Sequence, residues 1–284
     1  MARRPRLRFP GALYHVMARG NRKLPIFHDA LDRRRFLWTV ERATTLYSAR
    51  VFALCLMTNH FHLVLDTPRG NISETMQYIN GVFAQISNRR YGQTGHVFGD
   101  RFRSPLIERE KYLKRAARYV VRNPVRAGLV AQAADWEWST YRATAGLEPA
   151  PPWLDVSWID WAFQTDSREE AQRRYVTYVN APTPPKPPRT CLQEVYGSAQ
   201  FKARIAEALR ERQPDRPVPR SLEVLTRPRL ATLFAGTEPS RQARDRVIAM
   251  CRTRHGYRVA EIARFLGIHP ATVSRVVQRE MNGT

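Results

Sequence analysis

Cysteine is scarce in this chain: three in 284 residues, at Cys55, Cys191 and Cys251, with no Cys-x-x-Cys pair among them. That spacing excludes a disulfide framework and a cysteine-held zinc site, and leaves the thiols as small apolar core residues of a cytoplasmic protein. Acidic residues are also few. Twenty-five Asp+Glu face 47 Lys+Arg, a formal charge of +22, and the excess is almost all arginine. Solubility needs far less, so the surplus implies a polyanionic partner, and the planar guanidinium fork suits phosphate. Long apolar runs are missing as well. None reaches the roughly 18–20 residues of a membrane-crossing helix. The basic start Met1-Ala-Arg-Arg-Pro-Arg-Leu-Arg8 has no apolar segment behind it that would make a signal peptide. With a membrane set aside, nucleic acid is the expected polyanion, in a nucleoid-associated setting.

What is present divides by charge. Residues 1–148 carry 25 basic and 11 acidic side chains (+14), residues 149–188 carry 4 and 5 (−1), and residues 189–284 carry 18 and 9 (+9). The expected organisation is a basic domain over 1–148, a neutral connector over 149–188, and a basic helical domain over 189–284. The connector ends in Ala181-Pro-Thr-Pro-Pro-Lys-Pro-Pro188, too proline-rich for helix or sheet and expected to be a stiff, extended linker.

Within the first block, Ala12–Ala18 reads as a strand and Asp29 to about Tyr47 as a helix. Val51–Met57 and His60–Asp66 read as two strands joined by Thr58-Asn59, and Ile72 to about Tyr91 as a second helix. A fourth strand over Arg101–Glu108 and a third helix over Lys111–Arg122 follow. The order is an α+β, ferredoxin-like β-α-β-β-α-β arrangement, with an antiparallel sheet and helices on one face.

Two stretches carry chemistry. His60-Phe61-His62 places two imidazoles at i and i+2 of a strand, hence on one face. By itself the pair fits either one metal ion or two hydrogen-bonded strand histidines. On the third helix Tyr119 lies one turn before Asn123, and Asn-Pro marks the helix end. A phenol, a carboxamide and two imidazoles suit phosphodiester chemistry. The imidazoles and amide oxygen can bind a divalent ion that offsets phosphate charge, and the phenolate can attack phosphorus. Tyrosine makes sense there when a covalent link must keep the bond energy for rejoining. Arg101 and Arg103 alternate on the fourth strand, and Arg118 and Arg122 flank the tyrosine's turn. As a set they are expected to contact phosphate.

These residues stand in a wider pattern. Pro10-Gly-Ala-Leu-Tyr-His-Val16 with Arg19-Gly-Asn21, Met57-Thr-Asn-His-Phe-His-Leu63 and Gly95-His-Val-Phe-Gly-Asp-Arg-Phe-Arg-Ser104 come in that order. Tyr119-Val-Val-Arg-Asn-Pro-Val-Arg-Ala-Gly-Leu-Val130 and Trp136-Glu-Trp-Ser-Thr-Tyr141 follow. Across residues 5–145 the chain resembles the REP-associated tyrosine transposases, a branch of the single-tyrosine HUH transposases. The resemblance implies that His60 and His62 bind Mg²⁺ or Mn²⁺, that Asn123 completes or steadies the metal site, and that Tyr119 is the nucleophile. It also implies cleavage of single-stranded DNA beside a palindromic hairpin, with a 5′-phosphotyrosine kept and a 3′-OH freed, by a monomer or homodimer. Arg3, Arg4, Arg6 and Arg8, with Arg19, would belong to the DNA-recognition surface.

The second basic block contains Arg258 to Arg279, which reads as a helix-turn-helix. Val259, Ile262, Ala263 and Phe265/Leu266 form the inner face of its first helix, Gly267 makes the turn, and Val273, Val276 and Val277 pack inward from the second. Thr272, Ser274, Arg275, Gln278 and Arg279 stay outside, ready for duplex DNA in a major groove. Residues 190–255 look helical, with a break at Pro214–Pro219. Two further readings compete with a strand transferase. One is an inactive, transposase-derived DNA-binding regulator. The other, a zinc hydrolase or deaminase, lacks the Cys-x-x-Cys and the glutamate beside the histidine that this chemistry needs.

Overall fold

A computed structural model describes residues 6–182, 195–212, 230–235, 240–255 and 257–282. Arg3, Arg4, Cys191, nearly all of the expected proline-rich linker and the Pro214–Pro219 break lie outside the described residues. The chain divides into two units, Met1–Gly197 and Ser198–Thr284.

The first unit is built on a five-stranded sheet. In chain order come β1 (Ala12–Arg19), α1 (Ala30–Tyr47), β2 (Arg50–Leu56), β3 (His60–Thr67), α2 (Ile72–Tyr91) and β4 (Leu106–Ile107), with β5 (Val195–Tyr196) much later. The spatial order is β2-β3-β1-β4-β5. β3 pairs antiparallel with both β2 and β1, β1 pairs antiparallel with β4, and β5 runs parallel to β4. The first four strands and two helices thus make the expected β-α-β-β-α-β unit, with the histidine strand inside the sheet.

β3 is buried along nearly its whole length, because helices cover both faces of the sheet, not one. On one face Phe61 meets Phe36 of α1 at 4.6 Å between ring centroids, and Phe36 meets Phe83 of α2 at 5.2 Å. The opposite face carries Leu13, Cys55 and Val64 against α3 (Arg109–Val121), which buries Leu113, Ala117, Val120 and Val121. This second face is the one that bears His60 and His62, since strand side chains alternate.

The fourth strand is shorter than the alternation over Arg101–Glu108 predicts. Arg103 makes only an isolated bridge to Met17, and regular pairing resumes at Leu106. Pro105 stands between them with no N–H to donate, so the ladder is interrupted there.

The neutral segment is no passive connector. After α4 (Asn123–Arg126), a single turn, and α5 (Tyr141–Thr144), residues 149–182 fold onto the first unit through α6 (Trp158–Phe163) and α7 (Arg168–Asn180). Trp158, Ile159, Ala162, Ala171, Tyr175 and Val179 share one core with α3. The Trp136–Tyr141 stretch seals the outer edge of β2. Leu56 N donates to Trp138 O at 2.8 Å, Thr140 N to Leu54 O at 2.9 Å, and the Trp136 indole to Leu56 O at 3.0 Å. An open edge is a pairing hazard, and here it is covered.

The second unit is helical: α8 (Ala199–Arg212), α9 (Leu230–Phe234), α10 (Arg241–Thr253), α11 (Val259–Leu266) and α12 (Pro270–Asn282). Its core holds Ile248, Cys251, Tyr257, Ile262, Ala263, Val273, Val276 and Val277. Gly267 ends α11 in the left-handed conformation at φ 64°, which favours glycine, and its N–H returns to α11 carbonyls. Ile268 N then bonds Ala263 O at 3.0 Å and closes the turn before Pro270. Phe265 departs from the expected inner face: it is 44% exposed and lies against Phe234 of α9.

Candidate active site

Three imidazoles, not two, meet on the α3 face of the sheet. In the β1–β3 register His15 stands opposite Val64, which sets it diagonal to His62 on the same face. Its Nε2 lies 3.0 Å from His62 Nδ1, and the two rings stack at 5.2 Å and 28°. His60 and His62 are 5.1 Å apart, ring edge to face. Tyr119, on α3, closes the group at 5.4 Å from His15 and 5.5 Å from His62. The tyrosine is 37% exposed while His62 is 2% exposed, so a buried histidine backs a reachable phenol.

Each of the two strand histidines has one ring nitrogen anchored. His60 Nδ1 lies 2.8 Å from Asn59 Oδ1. A carboxamide oxygen only accepts, so His60 Nδ1 carries the proton and the neutral ring leaves a lone pair on Nε2. Asn59 is itself fixed, with its Nδ2 on Lys23 O at 2.7 Å and its carbonyl accepting from Gly20 N at 2.8 Å. Position 20 has no room for a side chain: a Cβ there would stand 2.2 Å from Leu24 O. His62 Nδ1 is occupied by His15, which leaves His62 Nε2 as its second nitrogen.

Electrostatics keep the cluster neutral. Burial, with help from the charge of Arg19, holds the His60 pKa at about 4, and burial holds His15 at about 4. His62 is pushed well below the ordinary histidine range by burial and then by His15, His60, Arg126 and Arg19. Neutral imidazoles with one nitrogen anchored and the other carrying a lone pair are the form that ligates metal. Among the described residues no group of three or more His, Cys, Asp or Glu side chains could hold a metal ion. The donor set therefore fits a divalent ion as a partial shell of two imidazoles, to be completed by amide, phosphate or water oxygens.

The other expected residues divide. Arg19 stands directly opposite His60 at the end of β1 and is exposed. Asn123 uses its amide nitrogen as a helix cap, donating to Tyr119 O at 2.8 Å and Val120 O at 3.3 Å, which ties it to the tyrosine's own turn. Arg118 and Arg122 are turned to a different task from the one expected. Arg118 donates to Ala181 O, and Arg122 Nη1 to Val179 O and Ala181 O at 2.8 Å each. Both cap the carbonyl end of α7, where cations are favoured. Arg6 packs 3.5 Å over the Phe102 ring and donates to Phe102 O, and Arg8 pairs with Glu74. Arg101 and Arg103 are exposed. In the second unit Arg275 and Gln278 are exposed and Thr272 and Ser274 half-buried. Arg279 instead pairs with the buried Asp245.

Three participants escape a reading of the sequence: His15, Arg126 and Tyr196. The Arg126 guanidinium carbon lies 4.7 Å from the centre of the Tyr119 ring. Tyr196 of β5 has its pKa raised by burial and by the nearby Tyr119. The alternation Leu13-His15-Met17 is the one sequence signal for His15. Nothing local announces Tyr196, which arrives through strand pairing across 88 intervening positions from Leu106 to Val195.

Comparisons with known proteins place part of the chain beside transposases. The family described as "Transposase IS200 like" matches residues 9–123, a span that holds His15, His60, His62, Tyr119 and Asn123. A curated Haemophilus influenzae protein named a REP-associated tyrosine transposase is 25% identical over 117 residues, covering 37% of this chain and 66% of its own length. A solved REP-associated tyrosine transposase bound to a REP hairpin aligns with TM-score 0.45 and 20% identity, over 55% of this chain and 94% of that one. Residues 254–283 match a family described as the ATPase subunit of terminase (gpP-like). Over residues 9–123 the chain is thus similar to the IS200-like transposases, and the curated relative it matches is a REP-associated tyrosine transposase.

Proposed function

We propose that the first unit is a metal-dependent single-stranded DNA endonuclease and strand transferase that cleaves beside hairpin DNA through a 5′-phosphotyrosine. The observation that carries the reading is the partly exposed Tyr119 phenol set 5.4–5.5 Å, ring to ring, from two neutral imidazoles, the half-buried His15 and the buried His62. His60 and His62, with the Asn123 amide oxygen, would hold Mg²⁺ or Mn²⁺. The ion supplies polarisation and charge neutralisation at the scissile phosphate. The chain's own residues do the rest. Tyr119 Oη forms a bond to phosphorus while the bond from phosphorus to the 3′-oxygen breaks. The phenol's proton passes to solvent and the departing 3′-oxygen takes one up. One phosphodiester becomes another, so the reverse attack by a 3′-OH rejoins a strand without an energy source. The exposed guanidinium of Arg19 flanks the histidine end of the site, where it can receive the strand's phosphates. In the second unit, Thr272, Ser274, Arg275 and Gln278 on α12 are proposed to meet duplex DNA.

The test uses the full-length chain with a labelled single-stranded oligonucleotide carrying a palindromic hairpin, and Mg²⁺ or Mn²⁺. A protein–DNA adduct stable to denaturation is expected, and Tyr119→Phe abolishes it while hairpin binding persists. An adduct that survives in Tyr119→Phe refutes the tyrosine assignment. Binding without any adduct in the wild-type chain favours the alternative, an inactive DNA-binding regulator.

A further inference from the structure

We infer that Arg126 is a catalytic residue of the tyrosine site, its guanidinium gripping the phosphate that Tyr119 attacks. The inference rests on the proposed transferase reading and adds a residue to it.

Four arginines lie on or just beyond the tyrosine's helix face, Arg115, Arg118, Arg122 and Arg126, and the structure sorts them. Arg118 and Arg122 are held by carbonyls at the end of α7, and Arg115 lies over Tyr112, two turns before Tyr119. Arg126 is exposed, and among the described residues no hydrogen bond or ion pair engages its guanidinium. It sits 4.7 Å from the Tyr119 ring centre. A phosphate delivered to the phenol therefore meets an uncommitted planar cation at the same place.

The backbone explains why this arginine reaches back. In an unbroken helix a residue seven positions on rises about 10.5 Å along the axis. Here α3 stops at Val121, Arg122 adopts φ −89°, ψ 1°, and Pro124 opens the separate turn of α4. Pro124 is buried, which pins that turn. Helical side chains lean toward the N-terminus of their helix, so Arg126 leans over the tyrosine's turn. A cation over an aromatic face gains only about 0.5–1 kcal/mol at exposed sites. That is little enough for a phosphate to draw the guanidinium from the ring into a bidentate, charge-assisted contact, which is roughly twice as strong as a neutral hydrogen bond.

The test has two arms on the full-length chain. The first measures binding of a mixed-sequence single-stranded oligonucleotide against salt concentration, in a Tyr119→Phe background so that no chemistry intervenes. Loss of one phosphate contact flattens the slope of log K against log salt by about 0.7. Arg126→Ala is expected to do so, and Arg118→Ala to leave the slope unchanged. The second arm measures cleavage of the hairpin oligonucleotide with Tyr119 intact. Arg126→Ala is expected to slow adduct formation about 10²-fold beyond its effect on binding. Arg126→Lys, which keeps the charge and loses the fork, recovers part of that rate. An unchanged slope overturns the phosphate contact, and cleavage that falls only in step with binding overturns the catalytic role. If the wild-type chain forms no adduct, the transferase reading fails while the salt slope still decides whether Arg126 holds a phosphate.

Discussion

Replacing His15 by alanine should loosen the proposed metal site without unfolding the protein. In the structure His62 Nδ1 has its partner in His15 Nε2 at 3.0 Å, and His62 is 2% exposed. Removing that partner leaves a buried nitrogen unsatisfied, at a cost of about 1–3 kcal/mol. The imidazole can escape the cost by turning toward the space that His15 vacates, but then its other nitrogen turns away from Tyr119 and His60. Either response weakens metal binding. Loss of a partner that orients a ligand typically lowers affinity 10–100-fold, equivalent to about 1.4–2.7 kcal/mol. The two routes therefore arrive at the same magnitude. The assay is calorimetric titration of wild-type and variant chains with Mn²⁺ in the absence of DNA, beside urea denaturation to confirm the fold. His15→Gln, whose amide oxygen can accept from His62, should recover part of the affinity. A folded His15→Ala chain that binds Mn²⁺ as tightly as wild type refutes the reasoning and reduces His15 to packing.

Two further outcomes follow from the same geometry. Arg122→Ala removes two 2.8 Å bonds to the carbonyl end of α7, and should destabilise the first unit by about 1–3 kcal/mol in chemical denaturation. Its affinity for single-stranded DNA should stay within about twofold, and the reverse pattern would return this arginine to the DNA surface. Asp29 titrates below the ordinary carboxylate range, first because Arg90 hydrogen-bonds to it and then because it caps Asp32 N. A depressed carboxylate contributes stability that is full above its unfolded value and lost as pH falls through its folded value. Arg90→Ala should therefore flatten the loss of stability below about pH 4, as thermal melts across that range would show. An acid limb as steep as wild type's would disprove the link.

The chain order of the first four strands and two helices, and the two helices that meet at Gly267, were legible because each rests on short-range sequence pattern. β3 is a short run buried almost throughout, α3 has an apolar stripe, and Gly267 stands where a left-handed turn closes. What escaped depends on contacts between distant segments. His15 is one histidine in an apolar strand until β1 and β3 pair in a particular register. Residues 149–182 were set apart because their charge is neutral, although Ala171, Tyr175 and Val179 repeat every four residues and so offer a helix face to bury. Net charge marks where a surface changes partner, and hydrophobic spacing marks where a core continues. The second signal should outrank the first in placing a boundary, because burial drives folding at about 25 cal/mol per Å² of apolar surface.

The same distinction governs the arginines. A surplus of +22 identifies a polyanionic partner for the whole chain, but a guanidinium is available to that partner only if no carbonyl or carboxylate of the protein has engaged it. Arg118, Arg122 and Arg279 count fully toward the surplus, yet α7 and Asp245 hold them. Arg126 adds the same single charge and stands uncommitted over the Tyr119 ring. Sequence proximity to Tyr119 ranks Arg118 and Arg122 ahead of Arg126, and the kink at Arg122 reverses that order. Local backbone geometry, more than charge density, thus selects which of many like residues can meet the scissile phosphate. A substitution that straightened the α3–α4 junction, such as Pro124→Ala, should accordingly slow cleavage while leaving the net charge untouched.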